Sequence, residues 1–234
     1  MWWFAALHAN LLMLYQRLMP RLPGTSKVLD AGCGTGGFLA RLADHLPETE
    51  VFGLDADETA CHWAAEKSAQ SICAGSVNAL PFADAAFAAI VSVDVLCHDG
   101  VDEARALGQF YRCLETGGIL ILNLPAYRWL MSRHDAAVYN VRRYTATEVT
   151  RLLRDAGFRP IFASYWNAVL FPLMVVTRKL LPGSGSDVQL HSGIVEAACR
   201  AATAIERGLM RAGIRFPFGG SVLAVAAKPE GTYA

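Results

Sequence analysis

The sequence predicts an α/β fold in which helices cover both faces of a doubly wound, largely parallel sheet, and three observations support this prediction. Apolar strand-like segments alternate with helix-period segments from residue 26 to residue 125. The segment FAAIVSVDV at 87–95 is rich in apolar and β-branched residues, as a strand buried on both faces requires. A glycine-rich segment, AGCGTGG at 31–37, joins the first strand to the helix after it.

The composition fits a single globular domain of 234 residues. Lys plus Arg and Asp plus Glu both number 21, so there is no basic field to hold nucleic acid, and we expect no nucleic-acid partner. Hydrophobic residues make up 53% of the chain, which leaves apolar surface beyond a core. The six cysteines are scattered, without a CxxC pair or histidines at ligand spacing, so we expect reduced thiols, no metal and a cytoplasmic protein.

The elements of the first half follow in order. Apolar side chains at helical spacing predict an amphipathic first helix over 2–19, which Pro20 ends. This segment lacks the basic start and cleavage site of a signal peptide, and no run approaches the roughly 20 apolar residues of a spanning helix. The patterns beyond it predict strands at 26–30, 50–55, 71–74, 87–95 and 119–124, and helices at 38–46, 58–69 and 102–114. A turn is predicted at Gly117-Gly118.

The pattern changes beyond Pro125. Residues 126–145 fit no clean period. A helix is predicted over 145–156, with Thr145 or Thr147 as its N-cap and Gly157 after its end. The remaining predictions are a strand at 160–166, an apolar run at 167–182, a flexible loop at 181–187, a helix at 193–212 and a final strand at 221–227.

The strongest local signal is VLDAGCGTGG at 28–37, whose glycines match both GxGxxG and GxGxG. Such glycines allow a tight strand-to-helix turn and a close approach of the backbone to a ligand. Asp30, just before them, suits a cationic amino group better than a pyrophosphate, which it would repel. Asp55 ends the next strand, where an acid binds the ribose of nicotinamide and adenosyl cofactors alike. Residues 75–82 follow the third strand and are placed to meet an adenine.

Taken together, VLDAGCGTGG, GLDAD, GSVNALPF and GGILILNLP resemble the class I S-adenosylmethionine (SAM)-dependent methyltransferases over residues 26–125. The resemblance implies a Rossmann-like sheet of seven strands with an antiparallel last strand and a helical lid. It also implies SAM as cofactor and S-adenosylhomocysteine as product. The implied cofactor-binding residues are Asp30, Gly32, Cys33 and Gly34 at the methionine part, Asp55 at the ribose, Ser76 and Val77 at the adenine, and, with no part of the cofactor assigned, Ala56 and Val93. Relatives often have an acidic residue where Ser76 stands.

Further segments resemble a bacterial, methyltransferase type 11-like subgroup: SVDVLCH, LPAYRWLMSRHD, VRRYT and FPFGGSVLAVAAKP. Many of its members open with His-Trp-Trp-Phe, which Trp2, Trp3 and Phe4 match. This implies an N-terminal helix that caps the SAM and acceptor pocket; the alternatives are a helix that only covers the sheet edge, or a membrane anchor. The implied division of the single domain 1–234 is a lid helix at 1–23, a SAM-binding core at 24–125, acceptor-side insertions at 126–215 and the last strand at 216–228.

Candidate catalytic residues lie in the loops beyond the fourth and fifth strands, because ligands of such sheets bind there. His98 is the first candidate base, and its alternative role is to bond the backbone at the strand end. His134 and Asp135 are the second candidates, for proton transfer or acceptor binding, and Tyr144 is a third. Relatives often have histidine where Asn140 stands.

Candidate acceptor-binding residues are Trp2, Trp3, Tyr127, Arg142 and Arg143. The two arginines suit a phosphate or carboxylate; alternatively they are a solvated pair, or one of them bonds Asp135. The apolar run at 165–182, with Arg178 and Lys179, predicts a core helix, a dimer face or a helix lying on anionic lipid.

The sequence therefore predicts a SAM-dependent methyltransferase that acts on oxygen or carbon of a small or amphiphilic acceptor, isoprenoid or lipid-like in character. The alternative is a family member that binds SAM without transferring methyl, or that promotes a cyclisation or rearrangement; Ser76, Cys97 and Asn140 leave this alternative open. A nicotinamide oxidoreductase and a pure interaction protein rank below these. Peripheral membrane contact stays open, as does the choice between monomer and homodimer.

Overall fold

A seven-stranded sheet forms the centre of the computed structural model, which describes residues 2–19, 27–179 and 193–230. The strands are β1 (Lys27–Ala31), β2 (Glu50–Asp55), β3 (Ser71–Ala74), β4 (Phe87–Val93), β5 (Leu114–Pro125), β6 (Arg159–Trp166) and β7 (Ser221–Ala227). Their order is β3-β2-β1-β4-β5-β7-β6, and β7 runs antiparallel to both of its neighbours. The predicted doubly wound sheet with an antiparallel last strand is confirmed. The strand order reverses between β1 and β4, where sheets of this type bind ligands.

Helices cover both faces of the sheet. They are α1 (Trp2–Leu18), α2 (Gly37–His45), α3 (Glu58–Ser68), α4 (Glu103–Cys113), α5 (Arg133–Ala137), α6 (Ala146–Asp155), α7 (Phe171–Lys179) and α8 (Gly193–Arg211). Buried side chains of α1, α2 and α8 form one apolar cluster with the sheet, and those of α4 and α6 form the other. In the described ranges no helix is long and apolar enough to cross a membrane. The loop predicted at 181–187 lies outside the described residues.

The strand β5 corrects one prediction. It runs through Gly117 and Gly118 without the predicted turn. Gly117 has φ +80°, and a Cβ on Gly118 would lie 3.0 Å from the carbonyl oxygen of Ala88. The two glycines therefore bend a continuous strand, whose backbone bonds that of Lys228 at the far end of the chain (3.0 and 2.9 Å).

The start of α6 is fixed by a capping box. The Thr145 hydroxyl accepts from the Glu148 N–H at 3.2 Å, and the Glu148 carboxylate accepts from the Thr145 N–H at 2.7 Å. This confirms Thr145, one of the two predicted caps, and Gly157 follows the helix with φ +87°. The cap anchors the end of the irregular segment that follows β5.

The first turns of α1 lie beside the glycine loop. The Trp3 ring is 5.7 Å from that of Trp166 at the end of β6, and the His8 ring is 5.3 Å from that of Phe38 in α2. Burial, and then the charge of Arg41, lower the pKa of His8 to about 4, so its ring is neutral at pH 7. The first turns of α1 thus reach the carboxyl ends of the strands, and the rest of the helix packs on one face of the sheet.

Candidate functional site

The loop between β1 and α2 lies at the point where the strand order reverses. The N–H groups of Gly32 and Cys33 both donate to the carbonyl of Leu54 (2.7 and 2.9 Å). Gly32 has φ +87°, and a Cβ there would overlap the Val95 side chain. Gly34 has φ +52°, and a Cβ built on it meets nothing within 4 Å. The loop is thus tight at Gly32 and leaves open space above Gly34, as a cradle for a ligand requires.

Asp30 ends its strand as a buried acid. Asp30 is only 2% exposed, and its Oδ2 has no hydrogen-bond partner among the described residues. Burial, and then the negative charge of Asp55, raise its pKa to about 7. A buried polar atom without a partner is costly, and an ammonium group would satisfy this one. The site therefore fits the amino group of SAM.

Asp55 lies at the carboxyl end of β2 and bonds the same loop. Its Oδ2 accepts from the Gly34 N–H at 2.8 Å, and its Oδ1 accepts from the Asp57 N–H at 3.0 Å. Each carboxylate oxygen keeps a second lone pair for a ribose hydroxyl. Ala56, another predicted cofactor residue, is exposed beside it.

The predicted adenine segment follows β3. Val77 is buried, whereas Ser76 is exposed and its hydroxyl accepts from the Asn78 N–H at 3.2 Å. The Asn78 side chain also donates to the carbonyl of Gly100 (2.9 Å) and accepts from the N–H of Asp102 (3.0 Å). Asn78 thereby ties this segment to the loop after β4, so the two loops form neighbouring walls.

Two further predicted cofactor residues, Cys33 and Val93, have uncharged side chains that are at least partly buried. The Cys33 side chain is buried, and burial is the main cause that raises the pKa of its thiol to about 12. The thiol therefore stays neutral at physiological pH. Val93 is the last residue of β4 and is partly buried.

Asp94, directly after β4, is a candidate functional residue that the sequence analysis missed. It has φ +53°, and its Oδ1 accepts from the side-chain amide of Asn123 at 2.9 Å. The Asn123 side-chain oxygen accepts in turn from the indole N–H of Trp166 at 2.8 Å, and Trp166 contacts Trp3. Burial raises the Asp94 pKa to about 7, although the Asn123 bond and the Arg143 charge act against this. The available signal was that Asp94 is the single charged residue in the strand predicted at 87–95.

His98 is half-buried in the loop after β4. Burial lowers the pKa of its ring more than the nearby Asp55 charge and a backbone hydrogen bond at Asp94 raise it. That bond agrees with the alternative interpretation, a histidine bonded to the backbone at the strand end. The neighbouring Cys97 thiol lies 3.1 Å from both the Asp94 carbonyl oxygen and the Asn140 side-chain oxygen.

Arg142 and Arg143 do not present the anion site that the sequence suggested. The Arg142 guanidinium donates to three carbonyl oxygens in the loop after β4, each at 2.9 Å. Arg143 forms a buried ion pair with Asp135, with nitrogen–oxygen distances of 2.9 and 2.7 Å. The alternative in which one arginine bonds Asp135 is confirmed, and both arginines hold loops in place.

Asp135 is not a suitable base, which corrects a second prediction. Burial alone would raise its pKa, but hydrogen bonds from Arg143 and Ser132 outweigh burial and hold the pKa below its usual range. The carboxylate therefore stays ionised and bonded to Arg143 and Ser132. The side chain of His134, in α5, lies outside the described part of the structure, so its role stays a prediction.

Removing Asp135 is expected to cost stability. Asp135→Ala leaves the charge of Arg143 buried without an opposite charge. Removing one partner of a buried ion pair lowers the free energy of unfolding by about 3–5 kcal/mol. Urea unfolding of the variant and the wild type measures this difference. The double variant Asp135→Leu with Arg143→Met, which buries no charge, should recover most of it; a single variant as stable as the wild type would contradict the structural role.

Tyr144 also departs from its predicted catalytic role. Its hydroxyl donates to the carbonyl of Leu96 at 2.9 Å, and its side chain is buried. Burial, and then Glu103, raise its pKa well above the usual value. The hydroxyl is thus a fixed, protonated donor that holds the loop after β4.

Aromatic rings surround the predicted acceptor residue Tyr127. Its ring stacks on Tyr165 at 5.1 Å and lies 5.7 Å from Trp129 and 5.6 Å from Phe171, whose ring is 5.8 Å from Phe218. We call these five residues the aromatic cluster. Trp129 is 50% and Phe218 46% exposed, so the cluster is open to solvent. It stands beyond the carboxyl ends of β5 and β6, at the same end of the sheet as Asp94.

The two N-terminal tryptophans differ in their contacts. Trp3 packs between Phe4, at 5.0 Å, and Trp166, at 5.7 Å. Trp2 is partly buried. The contact with Trp166 links α1 to the hydrogen-bond chain that ends at Asp94.

Comparison with known proteins agrees with this geometry. Residues 29–122 match the family model described as a methyltransferase domain. The chain is 28% identical over 146 residues to the O-methyltransferase cnsE of Penicillium expansum, covering 57% of this chain and 52% of that protein. It is 24% identical over 163 residues to the 24-methylenesterol C-methyltransferase 2 of Oryza sativa subsp. japonica, covering 60% and 43%. The chain thus spans about half the length of the curated relatives it matches.

A solved structure shows the same fold. The geranyl diphosphate C-methyltransferase of Streptomyces coelicolor A3(2), in complex with Mg²⁺, geranyl diphosphate and S-adenosylhomocysteine, superposes with a TM-score of 0.61. The sequence identity is 17%, and the match covers 92% of this chain and 76% of that one. The fold and the site together fit an α/β domain that binds a nucleotide-like cofactor. More particularly, the match over residues 29–122 supports a class I methyltransferase domain, an enzyme domain whose cofactor is SAM.

Proposed function

We propose that the protein transfers the methyl group of SAM to an oxygen or carbon atom of a small amphiphilic acceptor with an isoprenoid or lipid-like body. The observation that carries this proposal is the aromatic cluster, which stands open at the end of the sheet where the cofactor residues lie. Aromatic faces bind apolar bodies well, and the cluster offers no charge to a small polar acceptor. The named relatives support both oxygen and carbon as the methylated atom.

Asp94 is proposed to receive the proton that the acceptor loses. SAM supplies an electrophilic methyl group, so the protein has to align the acceptor and exclude water. Methylation of a hydroxyl or of a carbon that bears hydrogen ends with the loss of one proton from the acceptor. A carboxyl with a pKa of about 7 is suited to accept it near neutral pH. Asn123 and Trp166 hold this carboxyl in one orientation.

Different parts of the chain are proposed to bind SAM, bind the acceptor and cap the pocket. Residues 24–125 hold SAM, and residues 126–215 form the acceptor side. Residues 1–23 include the helix that caps the pocket through the contact of Trp3 with Trp166. The residues Ser76, Cys97 and Asn140 leave altered chemistry on SAM as the alternative.

An acceptor screen tests the proposed substrate class. The purified full chain is incubated with methyl-labelled SAM and two panels: prenylated phenols, sterols and fatty acids, and small polar amines and carboxylic acids. We expect label in at least one amphiphile, with S-adenosylhomocysteine formed in equal amount. Label in small polar acceptors alone would contradict the proposal. SAM binding without label transfer to either panel would favour the alternative.

The aromatic cluster allows a matched pair of variants. Trp129→Ala removes an indole that is 50% exposed, and Trp63→Ala removes one that is 52% exposed on α3, away from the cluster. We expect Trp129→Ala to raise the KM for an amphiphilic acceptor roughly tenfold, because it removes apolar contact with the acceptor body. Trp63→Ala should leave KM unchanged. Equal effects of the two variants would count against the cluster as the acceptor site.

A further inference from the structure

Five large apolar side chains are exposed on α7, α8 and the turn before α7. The exposed fractions are 58% for Val169, 48% for Leu173, 41% for Val176, 65% for Ile205 and 38% for Leu209. We call these five residues the apolar lid face. Exposed apolar residues grouped in this way mark interaction surfaces more often than residues scattered singly.

A buried acid on α8 holds the turn that leads into α7. Glu206 of α8 is buried, and its carboxylate accepts from the N–H groups of Asn167 at 2.8 Å and Val169 at 2.6 Å. Ile205 and Leu209 are neighbours on α8 at i,i+4 spacing, one position before and three positions after Glu206. Leu173 and Val176 are three positions apart on α7 and share one face of that helix.

The outward side of α8 carries no charged residue near the apolar lid face. Its exposed positions there are Ala197, Ala201, Ala204, Ile205, Gly208 and Leu209. α8 therefore has an exposed apolar side in addition to its buried side. One side is buried in the protein, through Cys199, Thr203 and Met210, and the other faces solvent in the described part of the chain.

Cationic side chains border this surface. Arg207 and Arg211 follow one edge of α8 beside Arg200, which pairs with Glu196 at 2.6 Å, and the guanidinium of Arg17 reaches the Arg211 carbonyl at 3.3 Å. An isologous contact between two copies of the chain would bring these cationic edges towards each other. An anionic surface would instead complement them. An apolar helix face with a basic border is typical of segments that lie on anionic lipid.

We propose that the apolar lid face docks the protein on the surface of a bilayer that contains anionic lipid. In that orientation α7 lies against the membrane, and the aromatic cluster, which includes Phe171 of α7, opens towards the lipid. The proposal concerns a binding surface and does not depend on the nature of the acceptor.

Vesicle co-sedimentation of the full chain tests the proposal. Vesicles of phosphatidylcholine alone are compared with vesicles that also contain phosphatidylglycerol, at low and high salt. We expect binding to the anionic vesicles that weakens with salt, since screening shortens the reach of the arginine charges. The double variant Leu173→Glu with Ile205→Glu should bind at least about tenfold more weakly, because it places charges where apolar groups enter the lipid.

A matched control separates docking from general effects. Ile161→Glu alters a side chain that is 38% exposed on β6, near the amino end of that strand and away from the apolar lid face. This variant should bind vesicles as the wild type does, and all three proteins should bind S-adenosylhomocysteine equally. No binding to anionic vesicles, or equal loss in both variants, would overturn the proposal. So would a dimer that the Leu173 and Ile205 substitutions dissociate while no vesicle binding is seen.

Discussion

Replacement of Asp94 by asparagine is expected to lower kcat by about 10²–10⁴-fold, the range that a positioned general base contributes. Asparagine keeps the shape of the side chain and an oxygen that accepts from Asn123, so the fold and the Asn123–Trp166 chain should persist. S-adenosylhomocysteine should bind as before, because Asp94 is proposed to contact the acceptor. Steady-state kinetics with an accepted substrate measures the loss.

The pH profile distinguishes a base from a residue that only shapes the pocket. The pKa of Asp94 is raised to about 7, so its carboxyl is protonated below that pH and able to accept a proton above it. The wild-type kcat/KM should therefore climb through about pH 7, and that of Asp94→Asn should be flat there. Asp99→Asn, which changes an exposed acid in the same loop, is the control and should retain wild-type rates. Wild-type activity in Asp94→Asn would rule out the proposed role.

Replacement of Asp30 by asparagine is expected to weaken binding of SAM by about 10–100-fold, because a charge-assisted hydrogen bond to the amino group is lost. In the wild type the Asp30 carboxyl has to ionise before it can pair with that group. Its pKa is raised to about 7, so affinity should rise between pH 6 and pH 8. The variant should show no such rise. Calorimetric titration with S-adenosylhomocysteine at the two pH values measures both effects.

The same substitution should stabilise the ligand-free protein at high pH. The Asp30 pKa is raised above its ordinary value of 3.8, so the folded chain holds a proton that the unfolded chain releases between about pH 4 and pH 7. The contribution of Asp30 to stability therefore falls as pH rises through this window, by on the order of 3–4 kcal/mol. Asp30→Asn removes that loss and should unfold at higher urea concentration than the wild type at pH 8. Wild-type affinity together with wild-type stability would contradict the assignment of Asp30.

The cofactor side could be predicted from the sequence because its signals are local. Asp30, Gly34 and Asp55 each lie at a strand end, where an apolar run stops and a glycine or acid follows. The same local rules misread Gly117-Gly118 as a turn. There a backbone pairing with Lys228, more than a hundred residues away along the chain, keeps the strand continuous.

The acceptor side could be located but its bonds could not be predicted. The lack of a helix or strand period after Pro125 indicated an insertion over the site. The hydrogen-bond partners of the polar residues in this insertion, however, lie elsewhere in the chain. Arg142 donates to backbone carbonyls near residue 98. The sequence alone does not distinguish an arginine that is bonded to the backbone from one that is free to bind a ligand. Asp94 gains its significance from Asn123, which donates to it, and from Trp166, which donates to Asn123. The three residues meet because β4, β5 and β6 end at the same edge.

Calorimetric binding of SAM, S-adenosylhomocysteine and NAD to the full chain, with Asp55→Ala as the comparison, tests the central claim most directly. Asp55 bonds the Gly34 N–H and is placed to hold the ribose, so its loss should weaken every adenosyl ligand that uses this site. We expect the wild type to bind both adenosyl ligands and not NAD, and we expect the variant to bind the adenosyl ligands more weakly. Binding of NAD, or failure of both adenosyl ligands to bind the wild type, would contradict it.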